Sequence, residues 1–269
     1  MDKVKSIVKA LLFGAIMLLF FVGSALIAKA LKLSANRTYI LQGGFALLSI
    51  LVPIFYIGHK DYSASDIGFN KPTKGIMKRL LFYVPLLAVF SLLISFNKNL
   101  GIKSLIVQAF AYGSMAIACE VYFRAVIQKE LRGKFNVLVG LIIIAIIYAA
   151  ANMYYFKRVT SYKQIILLCA FSFCVAGITG IIIESKGNII ITALFNIIYL
   201  VLGINFVGGG KKILLAQGIC MLILAIYGFY LLIMYFKDHK VIKEEPVEVE
   251  EINKPNNEEF DENGNMTIE

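Results

Sequence analysis

Eight apolar runs follow one another along this chain with only short polar breaks between them. They are Ile7 to about Ala30, Tyr39–Gly58, Leu80–Phe96, Ser104–Ile127, Phe135–Phe156, Gln164–Ile183, Asn188–Phe206 and Ile213–Phe236. A helix of about 20 apolar residues crosses the hydrocarbon of a bilayer. There, every backbone N–H and C=O must be bonded inside its own segment. The pattern therefore predicts an all-α integral membrane protein, a bundle of eight transmembrane helices. The first run is too long for the core of a signal peptide, and more runs follow it, so it reads as an uncleaved first helix. Pro53 predicts a kink in the second helix.

Composition agrees: 59% of the residues are hydrophobic and mean hydropathy is +0.78, too apolar for an ordinary soluble domain. Residues 1–240 read as one polytopic membrane domain. Residues 241–269 read as an acidic, disordered tail, with ten carboxylates and Lys254 from Glu244 onward and no apolar periodicity. The rest of the chain holds 26 basic and 7 acidic side chains. That balance suits anionic lipid headgroups. No basic surface interleaved with aromatics is visible, so no nucleic-acid partner is expected. With the N-terminus placed inside, basic loop residues favour that side fifteen to ten, which puts both termini in the cytoplasm. Abundant Ile, Lys and Asn with no Trp suggests a bacterial cell membrane.

Within the loop 59–79, Asp66-Ile67-Gly68-Phe69 looks like a short element at the interface. Cys119, Cys169, Cys174 and Cys220 lie in apolar runs, form no CxxC pair and read as small buried hydrophobes. His59 and His239 lie outside the apolar runs, so neither is placed to bind a metal within the membrane.

The charges inside the fourth run carry the most information. Glu120 and Arg124 are four apart and share one helix face. A carboxylate and a guanidinium in hydrocarbon usually pair, or face a polar interior. They can neutralise each other, which fixes packing, or they can line a polar site between helices. Other polar residues sit at the same spacing in neighbouring runs: Tyr148 with Asn152, and Thr192 with Asn196. Such residues commonly bond helix to helix.

Together these stretches resemble the CPBP or Abi family, the CAAX prenyl protease type 2-like intramembrane metalloproteases. The family motifs Glu-Glu-x-x-x-Arg, Phe-x-x-x-His and His-x-x-x-Asn lie on its fourth, fifth and seventh helices. Here the corresponding stretches are Cys119-Glu120-Val121-Tyr122-Phe123-Arg124, Tyr148-Ala149-Ala150-Ala151-Asn152 and Thr192-Ala193-Leu194-Phe195-Asn196. The resemblance covers about residues 66–206. It implies a CPBP-type fold, with Cys119, Glu120, Arg124, Tyr148, Asn152, Thr192 and Asn196 around one site. In straight alternating helices, Glu120 and Thr192 would face one side of the membrane and Asn152 the other. Convergence therefore requires the fifth helix to start deeper or to tilt.

The departures fall on the chemistry. The positions of the water-activating carboxylate and of the two histidines hold Cys119, Asn152 and Thr192. Zinc hydrolases use about three His, Cys or carboxylate ligands and an activated water. Neutral amide and hydroxyl groups are poor substitutes, so no metal is expected. The resemblance implies a catalytically degenerate relative, similar to lysostaphin resistance protein A. It would bind a membrane or cell-envelope protein, or a peptide, in cell-envelope or bacteriocin-related processes, with Glu120 and Arg124 vestigial or structural. Two alternatives stay open: an active metallo-endopeptidase using Glu120 in an unconventional site with zinc, and an unrelated transporter or channel gated by the pair.

Overall fold

The computed structural model describes residues 2–71, 102–152, 162–185, 187–203 and 211–244. Among these residues the secondary structure is helical apart from isolated bridges. Seven helices are present: α1 (Asp2–Ala30), α2 (Ala35–His59), α3 (Ile102–Leu131), α4 (Val137–Asn152), α5 (Tyr162–Glu184), α6 (Ile189–Gly203) and α7 (Lys211–Glu244). Four of them, α1, α2, α3 and the Ile165–Glu184 stretch of α5, are long and apolar enough to cross a membrane. The third expected run, Leu80–Phe96, lies outside the described residues. So do Gly208–Gly210 and the acidic chain from residue 245. The last helix continues through Glu244, so residues 241–244, expected in the tail, are helical. Two compact units divide between Ile233 and Met234. The helices described next belong to the first.

Helix α3 is the hub of that unit, packing against α1, α2, α4, α5 and α6. Its first half is rich in small residues. Ala111, Gly113, Ser114, Ala116 and Ala118 are buried and let neighbouring backbones approach. At Gly43 of α2, an added Cβ would lie 2.5 Å from the Phe110 ring and 3.1 Å from the Ala111 Cα, so glycine is what brings α2 onto α3. The second half of α3, Val121–Gln128, is a π-helix. Glu120, Arg124 and Gln128 lie along one side of it, with Arg124 paired to Glu120 and bonded to Gln128, and Arg132 follows as the extended C-cap beyond Leu131.

Where the sequence predicts a kink from Pro53, the helix is interrupted one turn earlier. Helix α2 breaks at Ile50, between Ala35–Ser49 and Leu51–His59. Proline has no N–H to give the carbonyl four residues earlier, which is Ser49. The buried Tyr122 hydroxyl of α3 donates to that carbonyl at 2.8 Å instead. Tyr122→Phe is expected to leave the Ser49 carbonyl unsatisfied and to cost about 1–3 kcal/mol. Unfolding in a fixed detergent, compared with the parent, measures this directly.

The main apolar core gathers Phe13, Met17 and Phe21 of α1, Ala46 of α2, Met115, Tyr122 and Phe123 of α3, and Ile144 and Tyr148 of α4. On the other side of α3, a smaller cluster joins Ala125, Ile183 and Ile189, with Ile67 packed against it.

Candidate functional site: a buried polar seam along α3

The side of α3 that carries Glu120, Arg124 and Gln128 faces α5 and α6. Glu120 and Arg124 are at most 1% exposed. Arg124 Nε lies 3.5 Å from Glu120 Oε2, an ion pair within one helix turn as their spacing predicts. That separation exceeds a good charge-assisted hydrogen bond. The terminal guanidinium nitrogens turn elsewhere. Nη2 donates to the Ala176 carbonyl of α5 at 2.9 Å and to the Thr179 hydroxyl, while Nη1 donates to Gln128 Oε1 at 3.2 Å. Thr179 passes its own proton to the Val175 carbonyl at 2.9 Å. The pair is therefore not self-sufficient: α5 supplies the neutral acceptors that hold the cation.

Glu120 is completed from α6. Its Oε1 accepts a hydrogen bond from Asn196 Nδ2. Thr192, one turn earlier on α6, is fully buried but donates to its own helix at the Ile189 carbonyl, 2.9 Å away. Asn152 is buried too, and donates back to the Tyr148 carbonyl at 2.9 Å rather than to Glu120 or Asn196. Tyr148 stacks edge-on against Phe123, with centroids 4.9 Å apart. Cys119, next to Glu120, belongs to the main apolar core. The structure thus joins Glu120, Arg124 and Asn196. It places Cys119 and Tyr148 in the surrounding packing, and Asn152 and Thr192 bonded to carbonyls of their own helices.

The seam continues to the surface. Gln128 Nε2 donates to the Gly180 carbonyl at 3.0 Å and to Glu184 Oε1 at 2.7 Å. Arg132 pairs with Glu184 at 3.2 Å. Gln128, Thr179 and Gly180 were missed in the sequence, although Gln128 continues the four-residue row from Arg124. Gly180 lets α5 come close. An added Cβ would lie 2.5 Å from Leu141 Cδ2 and 3.2 Å from Arg124 Nη1.

Three buried polar atoms converge in the trio without a hydrogen-bond partner among the described residues: Glu120 Oε2, Arg124 Nε and Asn196 Oδ1. Two are acceptors and one is a donor. They do not suit a divalent metal ion. A guanidinium stands beside the carboxylate and repels a cation, and the Asn152 and Thr192 side chains are turned to backbone carbonyls. Among the described residues, no three His, Cys, Asp or Glu side chains gather where they could share a metal ion.

A second polar knot ties the end of α3 to its neighbours. Glu130 accepts from Lys9 of α1 at 3.1 Å, from Tyr62 at 3.0 Å and from the Tyr56 hydroxyl of α2. The adjacent Lys129 pairs with Asp66 at 2.5 Å. Residues 60–71 are held at their other end by the turn before α6. Ile189 N donates to the Gly68 carbonyl at 2.8 Å, and Asn70 Nδ2 donates to the Gly187 carbonyl at 3.1 Å. Gly68 has φ 89°, which its lack of a Cβ permits. The segment expected to lie at an interface thus straps α3 to the α5–α6 turn, with Ile67 over the small apolar cluster.

Burial and the Glu130 carboxylate push the Tyr62 phenol above its usual range. The hydrogen bond from Lys129, with help from Ser63, holds the half-exposed Asp66 carboxyl down at about 2. A depressed carboxylate stabilises the folded form above its ordinary pKa, and that contribution is lost as pH falls through the folded value. The strap is therefore expected to loosen between about pH 4 and pH 2. Asp66→Asn is expected to loosen it at neutral pH and to remove this acid dependence. Hydrogen exchange at residues 63–69, corrected for intrinsic rates, reports both effects. Unchanged protection in Asp66→Asn would rule out the ion pair as the latch.

No family model matches the sequence, and no curated protein is significantly similar to it. The fold and site define a class by themselves: an all-helical chain among its described residues, with four membrane-length helices, organised around a buried Glu–Arg–Asn cluster.

Proposed function

We propose that this chain is a multi-pass bacterial membrane protein of CPBP type, with both termini cytoplasmic. Its peptidase groups have been replaced, and it acts by binding a membrane or cell-envelope protein through a peptide segment. One observation supports this reading above the others. Glu120 and Arg124, which still match the first motif, and Asn196, which still matches the third, stand on two helices, with Glu120 and Asn196 76 positions apart, and meet in one buried cluster. Outside the ion pair that Glu120 Oε2 and Arg124 Nε make, Asn196 Oδ1 is left as a buried acceptor, which suits a backbone N–H donor.

The catalytic half of the reading is tested by metal content. The unmodified chain is expected to purify with essentially no zinc. Cys119→Glu, Asn152→His and Thr192→His in combination add a carboxylate and two imidazoles, far better zinc ligands than an amide and a hydroxyl. Elemental analysis is then expected to rise toward one zinc per chain. Stoichiometric zinc in the unmodified protein, abolished by Glu120→Gln, would favour a working peptidase. The binding half is tested by a photoreactive residue at Ala193, beside the cluster on α6. Cross-linking in native membranes is expected to yield one discrete adduct that is lost in Asn196→Ala. Adducts unchanged by Asn196→Ala would sink the binding role.

A further inference from the structure

A groove of about 230 Å3 runs between α4, α5 and α7, away from the polar seam. Its walls are apolar, with Leu138, Leu141 and Ala145 on α4 facing Cys174, Gly177 and Ile178 on α5 and Leu224 and Gly228 on α7. Small residues from all three helices make it. Gly177 is open: a Cβ added there would meet nothing within 4 Å. Along α4 the groove extends roughly 10 Å from Leu138 to Ala145. Its volume falls below the about 300–1,000 Å3 of sites for drug-sized ligands, and a narrow apolar slot of this kind suits a single hydrocarbon chain.

At Leu141 the groove adjoins a more polar space. Leu141 also lines a second cavity of about 30 Å3, whose walls include Gln128, Arg132, Phe135, Asn136 and Glu184. Cations surround this end. Arg132 is in the wall, Lys134 is exposed between Gly133 and Phe135, and the Lys3 ammonium lies 5.8 Å from the Phe135 ring centre. Glu184 is the carboxylate in that wall, and Arg132 pairs with it. With Asp2 beside Lys3, three cations stand against two carboxylates, which still leaves this end positive.

An apolar slot ending in a small, positively charged polar pocket has the polarity of a phospholipid. We infer that it holds one anionic phospholipid, with an acyl chain along α4, α5 and α7 and the headgroup phosphate beside Arg132, Lys134 and Lys3. The inference rests on the membrane reading proposed above. Membrane residence has its own test: retention in the membrane pellet after carbonate extraction is expected, and release into the supernatant would overturn that reading whatever the lipid data show.

The lipid site is tested on the full chain, stripped of lipid in detergent. It is titrated with phosphatidylglycerol, with phosphatidylcholine of the same chains, and with inorganic phosphate. Native mass spectrometry is expected to show one retained phosphatidylglycerol, bound about tenfold more tightly than phosphatidylcholine. Phosphatidylglycerol is also expected to slow maleimide labelling of Cys174 in the groove wall, read peptide by peptide. Gly177→Leu fills the slot from an open position, so the adduct and the Cys174 protection are expected to disappear with thermal stability kept. Lys3→Gln with Lys134→Gln leaves the Arg132–Glu184 pair intact, and is expected to erase the preference for phosphatidylglycerol. Three results would overturn the inference: full binding and protection in Gly177→Leu, equal affinity for the two lipids in the parent, or displacement of the lipid by inorganic phosphate.

Discussion

Arg124→Gln is expected to destabilise the bundle by about 5 kcal/mol, and Glu120→Gln by about 3 kcal/mol, the two ends of the range for breaking a buried ion pair. The order follows from the partners that each change leaves behind. With Glu120 neutralised, Arg124 keeps three acceptors: the Gln128 side chain, the Ala176 carbonyl and the Thr179 hydroxyl. Asn196 can also still donate to the new amide. With Arg124 removed, a carboxylate stays buried beside Asn196 and those three acceptors lose their donor. The double variant Glu120→Gln/Arg124→Gln buries no charge, so its cost is expected to fall well below the sum of the single costs. A non-zero coupling energy of that kind marks residues in one network. Denaturant titration in one detergent measures all four species. Additive costs would mean that the two charges do not sense each other.

Gly180→Val is expected to cost about 3 kcal/mol, the upper part of the overpacking range. Its Cβ would enter between Leu141 and Arg124, and a β-branched side chain has few rotamers with which to avoid them. Leu141 can yield at its tip, but the guanidinium is held by its hydrogen bonds to α3 and α5. Gly177→Ala, less than one turn away on α5, meets no neighbour and is expected to gain up to about 1 kcal/mol from helix propensity. Melting temperatures in a fixed detergent separate the two. Equal effects at the two positions would show that helix propensity, not close approach, governs α5.

The contrast between these two glycines marks what could be read in the sequence. Neither the run 164–183 nor its composition distinguishes Gly177 from Gly180. The distinction arises only when Leu141 and Arg124 arrive from other helices. Likewise, the spacing of Glu120 and Arg124 placed them on one face, and the motif pattern singled out Asn196. Asn152 and Thr192 carried the same kind of signal. Yet their side chains bond to carbonyls of their own helices, because Asn and Thr can always satisfy themselves locally. A sequence cannot show which choice such a residue makes.

By itself, then, the sequence determined the helical architecture: apolar runs of membrane length, the break one turn before Pro53, and the need for buried charges to find partners. These follow from local chemistry, since hydrocarbon-length runs and a missing N–H act within one segment. Tertiary structure alone decided how the needs were met. The Ser49 carbonyl freed by Pro53 is satisfied by Tyr122, 73 residues away. Arg124 is held by Ala176 and Thr179, more than 50 residues away, and Glu130 by three elements at once. The π-helical stretch that carries Arg124 and Gln128 has no sequence signature of its own. Which partner answers each buried polar group depends on interhelical distances of a few ångströms, and those exist only once the helices have packed.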